Sequence, residues 1–290
     1  MRVERDVPLG PWTTLGVGGA ARVFVEPADP TELAGVLADL GDEPLLVLGR
    51  GSNLLVADTG WPGVALRLGA GFKWQRRDGT EVEAGGGTSM PALAAWLATE
   101  GLSGLEFAAG IPATVGGSVR MNAGAHGGQT ADRLLAVTVA SPDDPKGAVL
   151  DPGTLAFGYR HSELPPRSVV VGARWTLAAD EPAAIRARLD ELRAWRRSTQ
   201  PLRQRNCGSV FTNPPGDSAG RLIEAAGLKG RSVGGASVSE KHANFIVVDP
   251  ATTTAADVVA LIRLVRDEVA ARGGALLVPE VRLVGFEEEW

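Results

Sequence analysis

The sequence predicts an α+β protein of more than one domain, on three observations. Helical and strand-like stretches alternate without the regular period of a barrel. The chain has 290 residues, about twice the roughly 150 expected of one domain. Its texture changes near residue 181, from a strand-rich, glycine-laden stretch to one led by strong amphipathic helices.

Residues 21–27 (ARVFVEP) are rich in valine and aromatic side chains and predict a strand. The following PTELAGVLADL places Leu33, Val36, Leu37 and Leu40 on one face of a helix. PLLVLG (44–49) is a continuous apolar run, the pattern of a strand buried on both faces. Further strands are expected at 64–68 and 80–86. The helix 89–101 has Ser89 as cap, Pro91 in its first turn and Gly101 as its stop. Strands then run through 134–141, 147–151 and 168–178. The helix 181–198 carries Ile185, Leu189 and Leu192 along one stripe, with arginines on its other faces. Beyond a loop at 199–216 come a helix (217–227), a strand (244–249) and a long helix (254–272) through Val258, Ile262, Val265 and Val269. A closing strand is expected within 276–285.

Charged residues at 22% and hydrophobic residues at 44% are an ordinary globular balance and exclude a disordered chain. The net charge of −5 offers no basic field for nucleic acid, so any phosphate binding must be local. Cys207 is the one cysteine, which excludes an intrachain disulfide and a multi-cysteine zinc site and fits a reducing, cytoplasmic setting. The N-terminus lacks an apolar signal region and no run is long and apolar enough for a membrane span, so no membrane partner is expected. The histidines His126, His161 and His242 match no zinc spacing, and no metal is expected.

The 38 glycines are the compositional departure, about twice the usual share, without a collagen period. They concentrate in two segments. In LGRGSNLLV (48–56), Gly49 and Gly51 allow successive N–H groups to face an anion, and Ser52 and Asn53 add side-chain donors. The dinucleotide fingerprint fails here, since a leucine replaces its third glycine and SNLLVADTGWPG reads as strand and turn with no helix following. An ordinary glycine hairpin is the alternative. In GIPATVGGSVRMNAGAHGG (110–128), Gly116 and Gly117 permit close approach of backbone to ligand, and Thr114, Ser118 and Asn122 can hydrogen-bond a diphosphate or ring edge. A flexible linker is the alternative there. YRHS holds the sole tyrosine, Tyr159, beside Arg160, which taken alone reads more readily as a surface ion-pair partner than as a catalytic cation. Ser209 lies outside any nucleophile elbow, and Cys207 reads as a bystander thiol. Glu280 and Arg282 stand two apart on the expected closing strand, so both project from one face, as pocket-lining groups or as a strand-end ion pair.

Taken in order, TTLGVGGAA, LGRGSNLLV, GIPATVGGSVRMNAGAHG, YRHS, NCGSVFTNP, AGRLIEAAGLKG, ASVSEKHANFIV and PEVRLVG resemble the UDP-N-acetylmuramate dehydrogenase family, the UDP-N-acetylenolpyruvoylglucosamine reductases of peptidoglycan synthesis. The match spans nearly the whole chain. It implies a vanillyl-alcohol-oxidase-like FAD-binding fold in two parts, 1–57 and 58–197, plus a C-terminal α+β substrate domain, 198–290, whose last strand is free to return to the FAD domain. The cofactors implied are FAD and NADPH, the substrate is UDP-N-acetylglucosamine enolpyruvate, and a monomer is expected.

By the same resemblance, FAD contacts fall on Leu48, Gly49, Arg50, Gly51, Ser52, Asn53 and Leu54. A second set is Gly110, Ile111, Pro112, Thr114, Val115, Gly116, Gly117, Met121, Asn122, Ala123 and Gly124. Tyr159, Asn213 and Arg282 are implied in substrate binding. The implied catalytic residues are Arg160, Ser209 and Glu280. In the family a hydride passes from flavin N5 to C3 of the enolpyruvyl group, Ser209 corresponds to the proton donor to C2, and Arg160 and Glu280 stabilise the enolate between. Two rivals, another FAD oxidoreductase of the same fold and a non-catalytic nucleotide-sugar binder, are disfavoured because NCGSVFTNP, PEVRL and all three catalytic residues are present together. The chain departs from the family at Thr13, at Ala113 and, with more consequence, at Thr212, where many members carry a phosphate-gripping lysine. Arg197, Arg203 and Arg205 are the cations that could compensate. The short chain matches the branch that lacks a tyrosine-bearing insertion.

Overall fold

The computed structural model describes residues 1–273 and 275–287. The chain divides into two compact units. One comprises Met1–Arg5, Val23–Arg50 and Gly63–Trp195; the other comprises Asp6–Arg22, Gly51–Pro62 and the chain from Arg196 onward.

The first unit is built on a five-stranded antiparallel sheet in the order 148–150, 134–140, 169–176, 81–85, 75–78. Its edge strand 75–78 is exposed throughout, while in the interior Trp175, paired with Val82, is fully buried with its indole N–H donating to the Thr130 carbonyl at 3.1 Å. Helix α1 (Pro30–Ala38) starts at Asp29, whose carboxylate accepts the N–H groups of Thr31 and Glu32, both at 2.9 Å. Such a cap contributes about 1 kcal/mol. Leu33, Leu37 and Leu40 bury against Leu66, Phe72 and Val169, as the spacing predicted.

Helix α2 (Met90–Glu100) ends at Gly101, whose φ of 68° places it in the left-handed region that closes helices. Ser89 occupies the cap position but its hydroxyl makes no capping bond, so the expected cap is one of backbone geometry only. The strand predicted to be buried on both faces, Leu45–Val47, is instead a sheet-edge strand, parallel to Trp61–Leu66 on one side, with Val47 37% exposed. An apolar run cannot distinguish these positions, because an edge strand takes the same residue types on its covered side. A short helix α3 (Val115–Arg120) packs on the strand Val169–Thr176, and α4 (Pro182–Thr199) buries Ile185 and Leu189, with Leu192 half-buried.

The second unit has a four-stranded antiparallel sheet in the order 205–206, 246–248, 236–238, 232–233. Helices α5 (Ala219–Ala225) and α6 (Ala255–Ala271) supply much of its core. Val258, Ile262, Val265 and Val269 are all buried, and Thr254 with Asp257 forms a capping box at the start of α6. Asp58, distant in sequence, adds a second cap by accepting the N–H groups of Ala255 at 2.8 Å and Ala256 at 3.0 Å.

The closing strand is shorter than predicted. Only Arg282–Val284 is strand, pairing in parallel with Leu54–Val56. Pro279 has no N–H to give to a ladder, and the Glu280 N–H turns to the Val210 carbonyl at 2.7 Å. Glu280 therefore precedes the strand, which corrects the expectation that it lies on it; Glu280 is half-buried and Arg282 exposed. Among the described residues no helix is long and apolar enough to cross a membrane.

Candidate active site

The segment 48–54 leaves its strand at Leu48, whose N–H donates to Leu66. Gly51 has φ +60°, and a Cβ there would lie 2.3 Å from the Trp12 carbonyl oxygen, so only glycine fits. Its own carbonyl accepts the N–H of Thr14 at 3.1 Å, and the Asn53 carbonyl accepts that of Arg282 at 3.1 Å. The carbonyls are thus engaged, whereas the N–H groups of Gly49, Arg50, Gly51, Ser52 and Asn53 have no acceptor among the described residues. Successive unpaired backbone donors are what a polyanion binds. Leu54 follows as the half-buried first residue of its strand.

The second glycine segment differs in kind. It was expected to lie along a ligand as open backbone, but Val115–Arg120 is helix α3, begun by Thr114, whose hydroxyl accepts the Gly117 N–H at 3.2 Å. The N–H of Val115 goes to Thr88 and that of Gly116 to Gly86, at 2.8 and 2.9 Å. A Cβ at Gly116 would meet the Val170 carbonyl at 3.1 Å. Gly116 therefore serves close packing of α3 on the sheet. Thr114 borders the first segment, since a Cβ at Gly49 would lie 2.9 Å from its Oγ1. Around α3, Gly110 and Ala123 are buried, Ile111, Met121 and Gly124 half-buried, and Pro112 exposed.

Asn122 is fully buried in the left-handed region, at φ 39°. Its Nδ2 donates to Gly158 O at 2.8 Å and to Gln129 Oε1 at 3.0 Å, while Oδ1 accepts the Ala131 N–H at 3.1 Å. The amide is committed to protein, and what it holds is the turn Gly158–His161 that carries Arg160. Ser118 is also fully buried, and its hydroxyl has no hydrogen-bond partner among the described residues. A buried unsatisfied hydroxyl costs roughly 1–3 kcal/mol. Ser118→Ala is therefore expected to raise stability by about 1 kcal/mol in urea unfolding. A lowered midpoint would show that the hydroxyl is satisfied.

Arg160 has φ 56°, and its Nη2 donates to Gly124 O at 2.8 Å, with the guanidinium carbon 4.9 Å from the Tyr159 ring centroid. The cation is held in place by a carbonyl and a ring face. Tyr159 itself is 55% exposed.

Ser209 and Glu280 belong to the second unit, Arg160 to the first. Ser209 is half-buried and immediately precedes Val210, whose carbonyl takes the Glu280 N–H. This stretch is clamped by Asn244, a buried residue of the ASVSEKHANFIV segment that was not singled out from sequence. Its Oδ1 accepts the Phe211 N–H at 3.0 Å and its Nδ2 donates to the Phe211 carbonyl at 2.8 Å, a reciprocal pair imitating one rung of a sheet. The available signal was an amide-bearing residue just before an apolar strand.

His242, two residues earlier, accepts the Asn244 N–H on Nδ1, and burial holds its pKa below the ordinary histidine value. Asn213 is exposed and its Oδ1 accepts the Ala219 N–H, which leaves Nδ2 for a ligand. The Thr212 hydroxyl donates to Val278 O, and Arg197, Arg203 and Arg205 are exposed.

Cys207 is buried, and burial, with the nearby Glu280 carboxylate, pushes its thiol up to about 12. At pH 8 that leaves about 10³-fold less thiolate than a free cysteine. Iodoacetamide is thus expected to label the native protein at least this much more slowly than the urea-unfolded chain; equal rates would place the thiol at the surface.

Residues 21–148 match the family of FAD binding domains, and residues 200–284 match the C-terminal domain of UDP-N-acetylenolpyruvoylglucosamine reductase. The reductase of Geobacter sulfurreducens is 43% identical, covering 98% of this chain and 95% of that protein. That of Anaeromyxobacter is 47% identical, over 98% and 89%. The crystal structure of the Thermus caldophilus enzyme superposes with a TM-score of 0.86 at 42% identity, over 98% of this chain and 99% of that one. An FAD binding domain followed by the reductase C-terminal domain is the α+β architecture that the sequence predicted, and these likenesses extend over nearly the whole length. On that ground the chain belongs to the UDP-N-acetylenolpyruvoylglucosamine reductase family, an oxidoreductase built around FAD.

Proposed function

We propose that this protein reduces the enolpyruvyl ether of UDP-N-acetylglucosamine enolpyruvate to the lactyl ether of UDP-N-acetylmuramate, a step of peptidoglycan synthesis, at the expense of NADPH. The observation that carries this reading is the Ser209–Glu280 neighbourhood: the backbone at Glu280 is tied by its N–H to the carbonyl of Val210, the residue after Ser209, within the stretch matched to the reductase C-terminal domain.

The residues present fit FAD. The N–H groups from Gly49 to Asn53, without an acceptor among the described residues, suit its diphosphate, and Gly51 adopts the positive φ and the close approach to Trp12 that this turn needs. FAD held by these N–H groups would supply hydride-transfer chemistry between NADPH and the enolpyruvyl double bond. The protein's own task is then to manage charge and a proton. Hydride addition at C3 leaves enolate character at C2 and on the adjoining carboxylate. Arg160, its guanidinium already oriented by Gly124 O and the Tyr159 ring, offers a fixed positive charge to that group. Ser209 delivers the proton to C2. A serine hydroxyl is a weak acid and serves only because the enolate is a strong base. Glu280 assists most when protonated and donating a hydrogen bond to the same charge. Tyr159, Asn213 through its uncommitted Nδ2, and Arg282 contact the remaining substrate.

Purified protein supplied with FAD, NADPH and UDP-N-acetylglucosamine enolpyruvate is expected to form UDP-N-acetylmuramate with one NADPH oxidised per product. Oxidation of NADPH at a rate indifferent to the sugar nucleotide, with no lactyl ether formed, would overturn the assignment.

A further inference from the structure

We propose that Asn53 is a positioning residue for Glu280, joining the cofactor segment to the Glu280 backbone through one side-chain amide. Its Nδ2 donates to the Glu280 carbonyl at 3.1 Å, across 227 residues of sequence. The return bond runs from the Arg282 N–H to the Asn53 carbonyl, also 3.1 Å. The Glu280 N–H is held by Val210 O at 2.7 Å. The peptide groups on both sides of the Glu280 α-carbon are therefore fixed, one beside Ser209 and the other by Asn53. The regular ladder cannot provide the second bond. Pairing of Leu54–Val56 with Arg282–Val284 begins only after Asn53 and after Glu280, because the chain bends at Val281, past the Pro279 bridge to Phe211. A side-chain donor replaces the missing rung. Asparagine suits the role: its amide donates without bringing a charge, whereas aspartate could only accept.

Asn53 thereby separates two duties. Its backbone N–H is among those without an acceptor in the described residues and remains for a polyanion. Its side chain, which the sequence suggested as a ligand donor, is directed to the Glu280 backbone carbonyl instead. Order in the segment 51–53 is transmitted to Glu280 through this contact.

The proposal rests on the reading of Glu280 as a group of the second half-reaction, and the test separates the two. In stopped flow, with NADPH for reduction and UDP-N-acetylglucosamine enolpyruvate for reoxidation, Asn53→Ala is expected to slow reoxidation about tenfold more than reduction. In the Glu280→Gln background the same change should cost less than about threefold more. In the FAD-free protein, amide exchange across 278–282 should accelerate about tenfold in Asn53→Ala. Full multiplication of the two losses in the double variant, or unchanged exchange, overturns the proposal. Wild-type reoxidation in Glu280→Gln alone would instead remove the role given to Glu280, while the exchange result still decides whether Asn53 holds its backbone. Asn53→Ser, which retains a small polar group, is held to the same criteria should the alanine variant not fold.

Discussion

Ser209→Ala is expected to slow reoxidation by the enolpyruvyl substrate by about 10²- to 10⁴-fold, the usual worth of a positioned proton donor. Reduction by NADPH should change far less, because no proton is delivered to carbon in that half. The asymmetry is the informative part. Ser209 is half-buried next to the Val210 rung that also holds Glu280, so losing a hydroxyl there leaves the backbone bonds of Val210, Phe211 and Glu280 intact. A general packing defect would depress both halves together. Rapid mixing of reduced protein with substrate measures the second half alone. Equal losses in both halves would show that Ser209 is not the donor.

Arg160→Ala is the second large effect, about 10²- to 10³-fold in the same half-reaction, as expected when a preorganised donor to a developing negative charge is removed. Lysine should recover only part of it. A lysine ammonium keeps the charge but lacks the planar fork that donates to Gly124 O while lying against the Tyr159 ring. The φ of 56° at Arg160 belongs to the turn secured by Asn122, so the cation's position is set by the backbone before any substrate arrives. An Arg160→Ala protein that reoxidises at the wild-type rate would dismiss the role.

Local pattern made much of the architecture legible. The apolar stripes of α1, α4 and α6 fall where their spacing placed them, and Gly101 ends α2 as expected. Features that depend on distant chain were hidden. Whether Leu45–Val47 is central or peripheral depends on its neighbours, not on its own residues. The parallel pairing of Leu54–Val56 with Arg282–Val284 joins opposite ends of the chain, and no local period announces it. Helix α3 was obscured by the glycines it needs to approach the Val170 carbonyl.

The candidate site shows the same division. Composition marked both glycine segments alike, but their hydrogen bonds differ: among the described residues the N–H groups from Gly49 to Asn53 have no acceptor, whereas those of Val115, Gly116 and Gly117 are taken by protein. The roles proposed for Arg160, Ser209 and Glu280 come from the family resemblance and not from local pattern. The amides of Asn122, Asn53 and Asn244 that fix the backbone beside them could not be read from local pattern either, because an asparagine's partner is set by tertiary structure and its own neighbours in sequence do not reveal it.

The central claim is that this chain carries reducing equivalents from NADPH to an enolpyruvyl sugar nucleotide through bound FAD. Its most direct test is the visible absorption of the FAD-loaded protein in one anaerobic cuvette. The flavin bands should bleach on adding NADPH and return on adding UDP-N-acetylglucosamine enolpyruvate. A protein that refuses FAD, or one whose bleached bands do not return with this substrate, would contradict the account.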